Sequence, residues 1–405
     1  MPNWLSSLKL RLLSLFLGTL FCVVVFNPTL IAISAPQHQE IRGVWLTTHD
    51  TQTVIDHNKL QTAITQLATL NFNTIYPVVW NSGYALYPSP VAQQAGIQPF
   101  IRRGLQGQDP LADIITLAHQ NELLVLPWFE FGFMAPPTSE LALEHPNWLT
   151  KQSNGSLTGN SAAGEVVWLN PFHPEVQKFI ISLVTEVMQK YNVDGIQFDD
   201  HLSLPVEFGY DTYTKKLYRQ QTGRTAPSNP RNEAWMRWRA NQLTAFVTKL
   251  RKAIKAQKSN AILSISPNPY ETAYKSYLQD WLSWVRKDLV DELIVQVYRP
   301  DLSVFIKQIA RREIRETQKK IPVGIGVLSG VRHRPVTMKF IQEKVLASRQ
   351  RGLGVSFFFY RTLWNEAPET PQQRQLGFQS LFSSPAHRRL RNNAKNMQSE
   401  LPPQE

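Results

Sequence analysis

Cysteine is almost absent from this chain of 405 residues, and its one example, Cys22, lies in an apolar stretch near the N-terminus. A single cysteine excludes an internal disulfide and leaves the rest of the chain without a thiol nucleophile or a cysteine ligand for zinc. The chain also lacks a GxSxG nucleophile motif, and no glycine-rich phosphate turn follows its first β-rich run. These absences argue against papain-like catalysis, cysteine-bound zinc and a Ser/His/Asp triad of the α/β-hydrolase kind.

The N-terminus has the layout of an export signal. Lys9 and Arg11 precede an apolar run from Leu12 to Phe26, and small residues follow at Ser34 and Ala35. A basic start, an apolar centre and a small-residue site are the three parts of such a signal, and the run is short for a membrane span. We therefore expect residues 1–35 to be a signal peptide or an N-terminal membrane anchor. The body of the protein is then expected in the periplasm or cell envelope.

Positive charge is in excess, with a net charge of +12 that is scattered over the chain. Basic and aromatic residues do not form a compact stripe, so nucleic acid is not an expected partner. A scattered basic surface suits an anionic neighbour such as cell-wall polymer or lipid head groups. The polar and basic composition of residues 383–405 predicts a disordered basic tail. Nothing in the sequence indicates an oligomeric state.

Short β-rich runs alternate with longer amphipathic segments through the body of the chain. The runs cover residues 41–48, 74–80, 123–132, 194–200, 261–267, 292–300, 321–328 and 354–363. Such alternation favours parallel βα units, and eight of them over about 330 residues match a TIM barrel. The sequence therefore predicts an α/β fold in which residues 36–382 form a (β/α)8 barrel, rather than a doubly wound open sheet. Long loops after runs 2, 3 and 4 are expected on its catalytic face.

Carboxylates lie at the ends of two of these runs, where a barrel would place its active site. Asp199 and Asp200 end the fourth run, and Glu130 ends the third. Period-two alternation places Gln197 and Asp199 on one face, which should point into the barrel lumen because the other face is apolar. This pattern predicts Asp199 as the general acid, with Asp200 and Glu130 as further catalytic carboxylates.

Amides and aromatic side chains occur at the other run ends. A sugar site needs carboxylates for acid/base work, amides for hydroxyl groups and aromatic faces for pyranose rings. We predict a carbohydrate site on this mixture. The candidate substrate-binding residues are Trp80, Asn81, Trp128, His201, Asn268, Gln296, Tyr298, Tyr360 and Trp364.

A divalent metal is the alternative use of these acids. His49 and Asp50, together with Asp199, Asp200 and His201, are suitable ligand types. The FDDH run also resembles the acidic motif of metal-dependent polysaccharide deacetylases. The closely spaced histidine pair that those enzymes use is absent, so we expect neither a metal nor another cofactor.

Seven segments, taken together, resemble the glycosyl hydrolase-like family 10 proteins of bacterial envelopes. They are RGVWLTT, NFNTIYPVVWNSGYALYPS, LLVLPWFEFG, NPFHPEV, VDGIQFDD, SISPNP and ELIVQVYRP, and the match covers nearly the whole body, from Arg42 to about Asn365. The resemblance implies a TIM-barrel glycosidase that cuts peptidoglycan glycan strands, in particular strands freed of their stem peptides. Related barrels that cut amino-sugar polymers imply the first Asp of the pair, Asp199, as the acid.

Two questions stay open at the level of sequence. An N-acetylated substrate could supply its own acetamido oxygen as the nucleophile, or two carboxylates could share the work. A glycan-binding envelope protein without turnover is the alternative from another class, because a barrel fold does not guarantee activity.

Overall fold

The computed structural model describes residues 39–98, 108–162, 164–331 and 334–388. The predicted signal or anchor segment and the last part of the predicted tail, residues 389–405, lie outside these ranges. Within them, no helix combines the length and the apolar character that a membrane span requires.

Eight parallel strands form a closed barrel. They are β1 (Arg42–Leu46), β2 (Thr74–Asn81), β3 (Trp128–Phe129), β4 (Gly195–Asp199), β5 (Ile262–Ser266), β6 (Glu292–Gln296), β7 (Val323–Leu328) and β8 (Gly354–Phe358). Each strand pairs with the next along the chain, and β8 pairs with β1. The third position is completed by the short strand Leu124–Val125, which also pairs with β2. The predicted TIM barrel is confirmed.

Helices occupy the connections between the strands. Their bounds are Thr48–Asp50 and Pro146–Trp148 for the two 3-10 turns, and Thr51–Val54, His57–Thr69, Pro90–Gln94, Pro110–Gln120, Glu140–Glu144, Pro174–Lys190, Thr212–Thr222, Glu233–Gln257, Tyr270–Tyr277, Trp281–Arg286, Leu302–Ile309, Arg312–Gln318, Met338–Arg349, Tyr360–Trp364 and Pro371–Leu381 for the α-helices. Asp56, Asp109, Asp211 and Asn232 each begin a helix by accepting a backbone N–H of its first turn.

Short antiparallel strands decorate the long loops. Tyr84–Ala85 pairs with the end of β2, and Met134–Ala135, Thr158–Ser161 and Gly164–Trp168 form a three-stranded sheet in the loop after β3. A further hairpin joins Gly330–Val331 to Arg334–Pro335 after β7. These short strands therefore lie in the loops at the end of the barrel where β2, β3 and β7 terminate.

The barrel lumen has its own packed layer of side chains. Trp45, Tyr76, Leu126 and Trp128 belong to an apolar cluster that is separate from the main core between strands and helices. Gln197 lies in the same lumen, where its amide oxygen accepts from Trp45 Nε1 at 2.6 Å. The lumen face that alternation assigned to β4 is therefore confirmed.

Most predicted runs extend past the strands that they contain, and two differences in boundary bear on the site and on the C-terminal segment. The eighth run was expected to continue to residue 363, but β8 ends at Phe358 and a short helix covers Tyr360–Trp364. The turn is fixed locally, because Thr362 Oγ1 accepts from the backbone N–H of Phe359 at 3.2 Å. At the other boundary, the described chain continues through residue 388, past the start of the predicted tail. A backbone bridge joins His387 to Gln39 beside the start of β1.

Candidate active site

The carboxyl ends of β3, β4, β5 and β6 bring one cluster of acids and amides together at the mouth of the barrel. Asp199 is the last residue of β4, and Asp200 and His201 follow it. Glu130 follows β3, whereas Asn268 follows β5 and Gln296 ends β6. Sequence positions far apart are thus joined only by closure of the barrel.

Asp199 lies in the lumen but is almost entirely buried, with 2% of its surface exposed. Its Oδ1 accepts from the backbone N–H and the Nδ1–H of His201, at 2.9 and 3.0 Å. Its Oδ2 accepts from Trp128 Nε1 at 3.2 Å. Burial raises the pKa of the Asp199 carboxyl to about 6, although the neighbouring His201 cation opposes the increase. The lumen orientation expected from the sequence is correct, and the carboxyl has almost no exposed surface; its role as the general acid stays a prediction.

His201 is the partner that holds Asp199. Its Nδ1 lies 2.6 Å from the carbonyl oxygen of Glu130, which can only accept, so Nδ1 carries a proton. Burial alone lowers the pKa of an imidazole, but the carboxylates of Asp199 and Asp200 outweigh it and raise the pKa of His201 to about 10. His201 is therefore an imidazolium that joins the ends of β3 and β4.

The loop after β3 passes very close to His201. A Cβ at Gly132, where φ is +46°, would lie 2.6 Å from the carbonyl oxygen of His201. Glycine is the residue that accepts both the positive φ and this approach. The same carbonyl accepts from the backbone N–H of Phe133 at 3.2 Å. The backbone that carries Glu130 is thus fixed against the backbone that carries His201.

Asp200 occupies the accessible position of the pair, with a fifth of its side chain exposed (20%). Its Oδ2 accepts from Asn268 Nδ2 at 2.8 Å, and its Oδ1 accepts from Gln296 Nε2 at 3.1 Å. The Gln296 amide is itself fixed, because it also donates to the carbonyl oxygen of Ser266 at 2.9 Å. Two residues predicted to bind sugar therefore also orient a partly exposed carboxylate.

Glu130 is partly exposed and is held from one side. Its Oε2 accepts from Asn81 Nδ2 at 2.5 Å, and no donor among the described residues contacts its Oε1. Burial, followed by the negative charge of Asp199, raises the pKa of the Glu130 carboxyl to about 7. This carboxyl is therefore partly protonated near neutral pH and has one oxygen available to a ligand.

Tyr298 and Phe358 supply the partly exposed aromatic surface of the cluster. Their ring centroids lie 5.6 Å apart, and Phe358 lies 6.4 Å from the ring of Trp128. Burial and the charges of Asp200, Asp199 and Glu130 raise the pKa of Tyr298 well above its usual value, so its hydroxyl stays protonated. Phe358 was not among the predicted site residues. Alternation in β8 contained the signal, because Phe358 shares a face with Gly354 and Ser356.

The other predicted aromatic residues lie elsewhere. Trp80 is fully buried, and its Nε1 donates to the carbonyl oxygen of Gly132 at 3.1 Å. Trp364 and Tyr360 are 5% and 8% exposed in the helix after β8, so they offer no open face. Trp128 is at the site but is 3% exposed and donates to Asp199. The sugar-stacking roles expected for Trp80, Tyr360 and Trp364 are corrected by this placement, since apolar runs at strand ends also fill cores.

Ligand atoms of Asp199, Asp200 and His201 lie within 4.8 Å of one another, a spacing that could hold a metal ion. The Nδ1 of His201 is occupied by its proton, and both Asp199 oxygens accept hydrogen bonds. Asp50 does not join the group, because it accepts from the backbone N–H groups of Thr47 and Arg361. The donor set matches an ion-paired network better than a set of free ligands, and we assign no metal to it.

A closed barrel of eight parallel strands with carboxylates and amides at their carboxyl ends is the architecture of TIM-barrel glycoside hydrolases. The chain belongs to the glycosyl hydrolase-like 10 family, whose sequence profile matches residues 40–348. The family resemblance predicted from the sequence motifs is confirmed.

Two similar proteins are also named glycosyl hydrolases. The chain is 24% identical over 340 residues to glycosyl hydrolase DigH of Escherichia coli K12, covering 73% of this chain and 75% of that protein. It is 22% identical over 320 residues to glycosyl hydrolase YngK of Bacillus subtilis, covering 71% and 58%.

Solved structures show the same fold at low sequence identity. The PgaB (BpsB) glycoside hydrolase domain of Bordetella bronchiseptica superposes with a TM-score of 0.64 at 13% identity, covering 87% of this chain and all of that one. The α-L-fucosidase isoenzyme 2 of Paenibacillus thiaminolyticus gives a TM-score of 0.59 at 15% identity, covering 85% and 49%.

Proposed function

We propose that this protein is an exported glycoside hydrolase that cleaves glycosidic bonds in N-acetylhexosamine-containing cell-wall glycan, with peptidoglycan strands as its substrate. One observation carries the hydrolase: Glu130 and Asp200 carry two differently held, partly exposed carboxyl groups at the same end of the barrel, close enough for the charge of Asp200 to raise the pKa of Glu130. Asp199 is the third carboxyl of this group and is buried. Glycoside hydrolysis needs such a pair, one carboxyl to give a proton and one carboxylate to stabilise positive charge.

The surroundings of the acids also suit a sugar. Phe358 and Tyr298 offer partly exposed rings, and the Tyr298 hydroxyl is a donor beside three carboxyl groups. Aromatic faces and a few oriented polar groups are what a pyranose site requires. An acetamido oxygen of the substrate could act as the nucleophile in the same cavity, with no change in the proton donor.

Support for the glycan and for the location comes from other features. The family resemblance favours peptidoglycan strands, and the net charge of +12 suits a polymer that bears lactyl carboxylates. The basic and apolar pattern of residues 1–35 supports export, with membrane anchoring if the segment is retained. Cell fractionation with N-terminal sequencing tests this part, and recovery of the intact chain from the cytoplasm contradicts it.

The direct test incubates residues 36–405 with peptide-free peptidoglycan strands and follows released fragments by mass spectrometry. We expect muro-oligosaccharides from the unmodified protein and a loss of about 100-fold or more in Asp200→Asn, because the accessible carboxylate is removed. The matched control is Glu144→Gln, an exposed acid on the helix Glu140–Glu144, which should cleave normally. Retention of the glycan without any fragment would instead identify a binding protein and overturn the hydrolase.

A further inference from the structure

We propose that Glu130, and not the first Asp of the strand-4 pair, protonates the leaving oxygen, and that Asp199 is a positioning residue that acts on Glu130 through His201. This inference rests on the proposed hydrolase function and assigns roles within its site. It reverses the assignment that the sequence motif and the face of β4 suggest for Asp199.

The hydrogen bonds of Asp199 leave it no part in proton donation. Both of its oxygens accept N–H groups, two from His201 and one from Trp128. Each of these three donors keeps its hydrogen, so each favours the ionised carboxylate and opposes a proton on the same oxygen. With 2% of the residue exposed, a glycosidic oxygen also has no route to it.

The chain of contacts from Asp199 leads to Glu130. Asp199 neutralises the imidazolium of His201, and the same Nδ1–H of His201 lies 2.6 Å from the main-chain oxygen of Glu130. The close approach of Gly132 to His201 also fixes the backbone that follows Glu130. Asp199 therefore sets the position of the Glu130 backbone while remaining almost fully buried itself.

Glu130 has the properties that Asp199 lacks. Asn81 holds Oε2 at 2.5 Å, whereas Oε1 has no donor among the described residues and the side chain is partly exposed. A carboxyl anchored by one oxygen can present the other, with its proton, to a substrate. Burial raises the pKa of this group to about 7, which keeps a protonated fraction at neutral pH.

The reaction balances with water as the co-reactant. In the first half, the Glu130 proton moves to the glycosidic oxygen, the C1–O bond breaks, and its electron pair stays on the leaving oxygen. Asp200 stabilises the positive charge that develops at C1. In the second half, water adds to C1 and gives its proton to the Glu130 carboxylate, which restores the acid.

The experiment varies the leaving group, because an acid matters most when the leaving oxygen is a poor one. The protein, residues 36–405, is given 2,4-dinitrophenyl and 4-methylphenyl glycosides of the same N-acetylglucosamine oligosaccharide. We expect Glu130→Gln to lose about 1000-fold on the methylphenyl glycoside and about 10-fold or less on the dinitrophenyl one. The decline of kcat/KM above about pH 7 should vanish in this variant on the dinitrophenyl substrate.

Two further variants separate acid from position. Asp199→Asn should also lose more on the methylphenyl glycoside than on the dinitrophenyl one, because Glu130 is displaced, but by a smaller factor than Glu130→Gln. It should retain the decline at high pH, because Glu130 is still present. Glu130→Asp keeps an acid with a shorter reach, so it should fall on the methylphenyl glycoside and still show the decline. Circular dichroism and thermal unfolding confirm that each variant is folded, and Glu144→Gln serves as the control for a Glu→Gln change.

The outcomes distinguish a failure of this inference from a failure of the proposed function. The inference is overturned, and the hydrolase left standing, if Asp199→Asn abolishes the decline at high pH and matches the losses expected of Glu130→Gln, or if Glu130→Gln loses equally on both glycosides. An unmodified protein that cleaves neither glycoside nor glycan strands removes the proposed function and the inference with it.

Discussion

Glu130 lies in an environment that opposes its ionisation, and this environment makes the stability of the fold depend on pH. The pKa of its carboxyl rises from an ordinary 4.5 to about 7, first because of burial and then because of Asp199. The folded state therefore binds this proton more tightly than the unfolded chain does. Stability contributed by this proton is complete below about pH 4.5 and is lost as the pH rises towards about 7.

Glu130→Gln removes this dependence, so the variant should gain stability relative to the unmodified protein between pH 5 and pH 8. We expect a gain of at most about 3 kcal/mol, since one pKa unit corresponds to about 1.4 kcal/mol. Urea unfolding of both proteins at the two pH values measures it, with Glu144→Gln as the control. A difference between the two proteins that stays constant across this range would contradict the assignment of a raised pKa.

At the same scale, the sequence could orient the acids but could not show how deeply each one is buried. Alternation along β4 correctly placed Gln197 and Asp199 in the lumen, because it depends on neighbouring residues only. The burial of Asp199 depends on Trp128, which comes from another strand. Its hydrogen bond forms only when the barrel closes, so a pattern within one strand contains no sign of it.

At the scale of elements, the number and order of the strands were readable because parallel strands are buried on both faces and form compact apolar runs. Their ends were less readable. The aromatic run after Phe358 continues as a helix, and a short apolar run does not distinguish helix from strand. This ambiguity is why Tyr360 and Trp364 were expected at the site, whereas Phe358 was missed.

The loop after β4 depends on one residue of the long helix Glu233–Gln257. Arg239 is fully buried, and its guanidinium donates to the carbonyl oxygens of Val206, Phe208 and Pro230 at 2.6, 2.5 and 2.5 Å. Burial lowers the pKa of Arg239 to about 9, yet the group remains charged at neutral pH. These bonds fix the segment that continues from His201.

Arg239→Met should leave these carbonyl oxygens without donors in the interior. We expect a loss of about 3 kcal/mol in the free energy of unfolding and faster proteolysis within residues 201–232. Urea unfolding and limited proteolysis with peptide mapping measure the two effects. Arg237→Met, two positions away and exposed, is the matched control and should be neutral. Equal stability of the two variants would refute the role of Arg239.

At the scale of the whole molecule, the two ends of the described chain meet below the barrel. Arg42 donates to the carbonyl oxygen of Ser384 at 2.6 Å, and Asn73 donates to the carbonyl oxygen of Ala386 at 3.0 Å. Composition alone suggested a tail from residue 383, because polar and basic residues dominate there. The contacts of residues 383–388 depend on the start of β1 and β2, which local composition cannot reveal.

Arg388 closes the bottom of the lumen by pairing with Glu292, whose carboxylate is 1% exposed. Glu292 also accepts from Tyr76 at 2.9 Å and from Ser264 at 2.8 Å, and Ser264 in turn accepts from Gln197. A hydrogen-bonded series thus runs from the C-terminal segment to the strand that carries Asp199. Removing one partner of a buried ion pair leaves an uncompensated charge, which is strongly destabilising.

Truncation after residue 382 should therefore lower the free energy of unfolding by about 3 kcal/mol or more relative to truncation after Arg388. Arg388→Met in the full chain separates the charge from the backbone contacts of residues 383–387, and most of the loss should persist in it. Thermal and urea unfolding of the three proteins decide the matter. If the protein that ends at residue 382 is as stable as the protein that ends at Arg388, residues 383–388 have no part in the fold. The pairing of Arg388 with Glu292 then contributes nothing to stability.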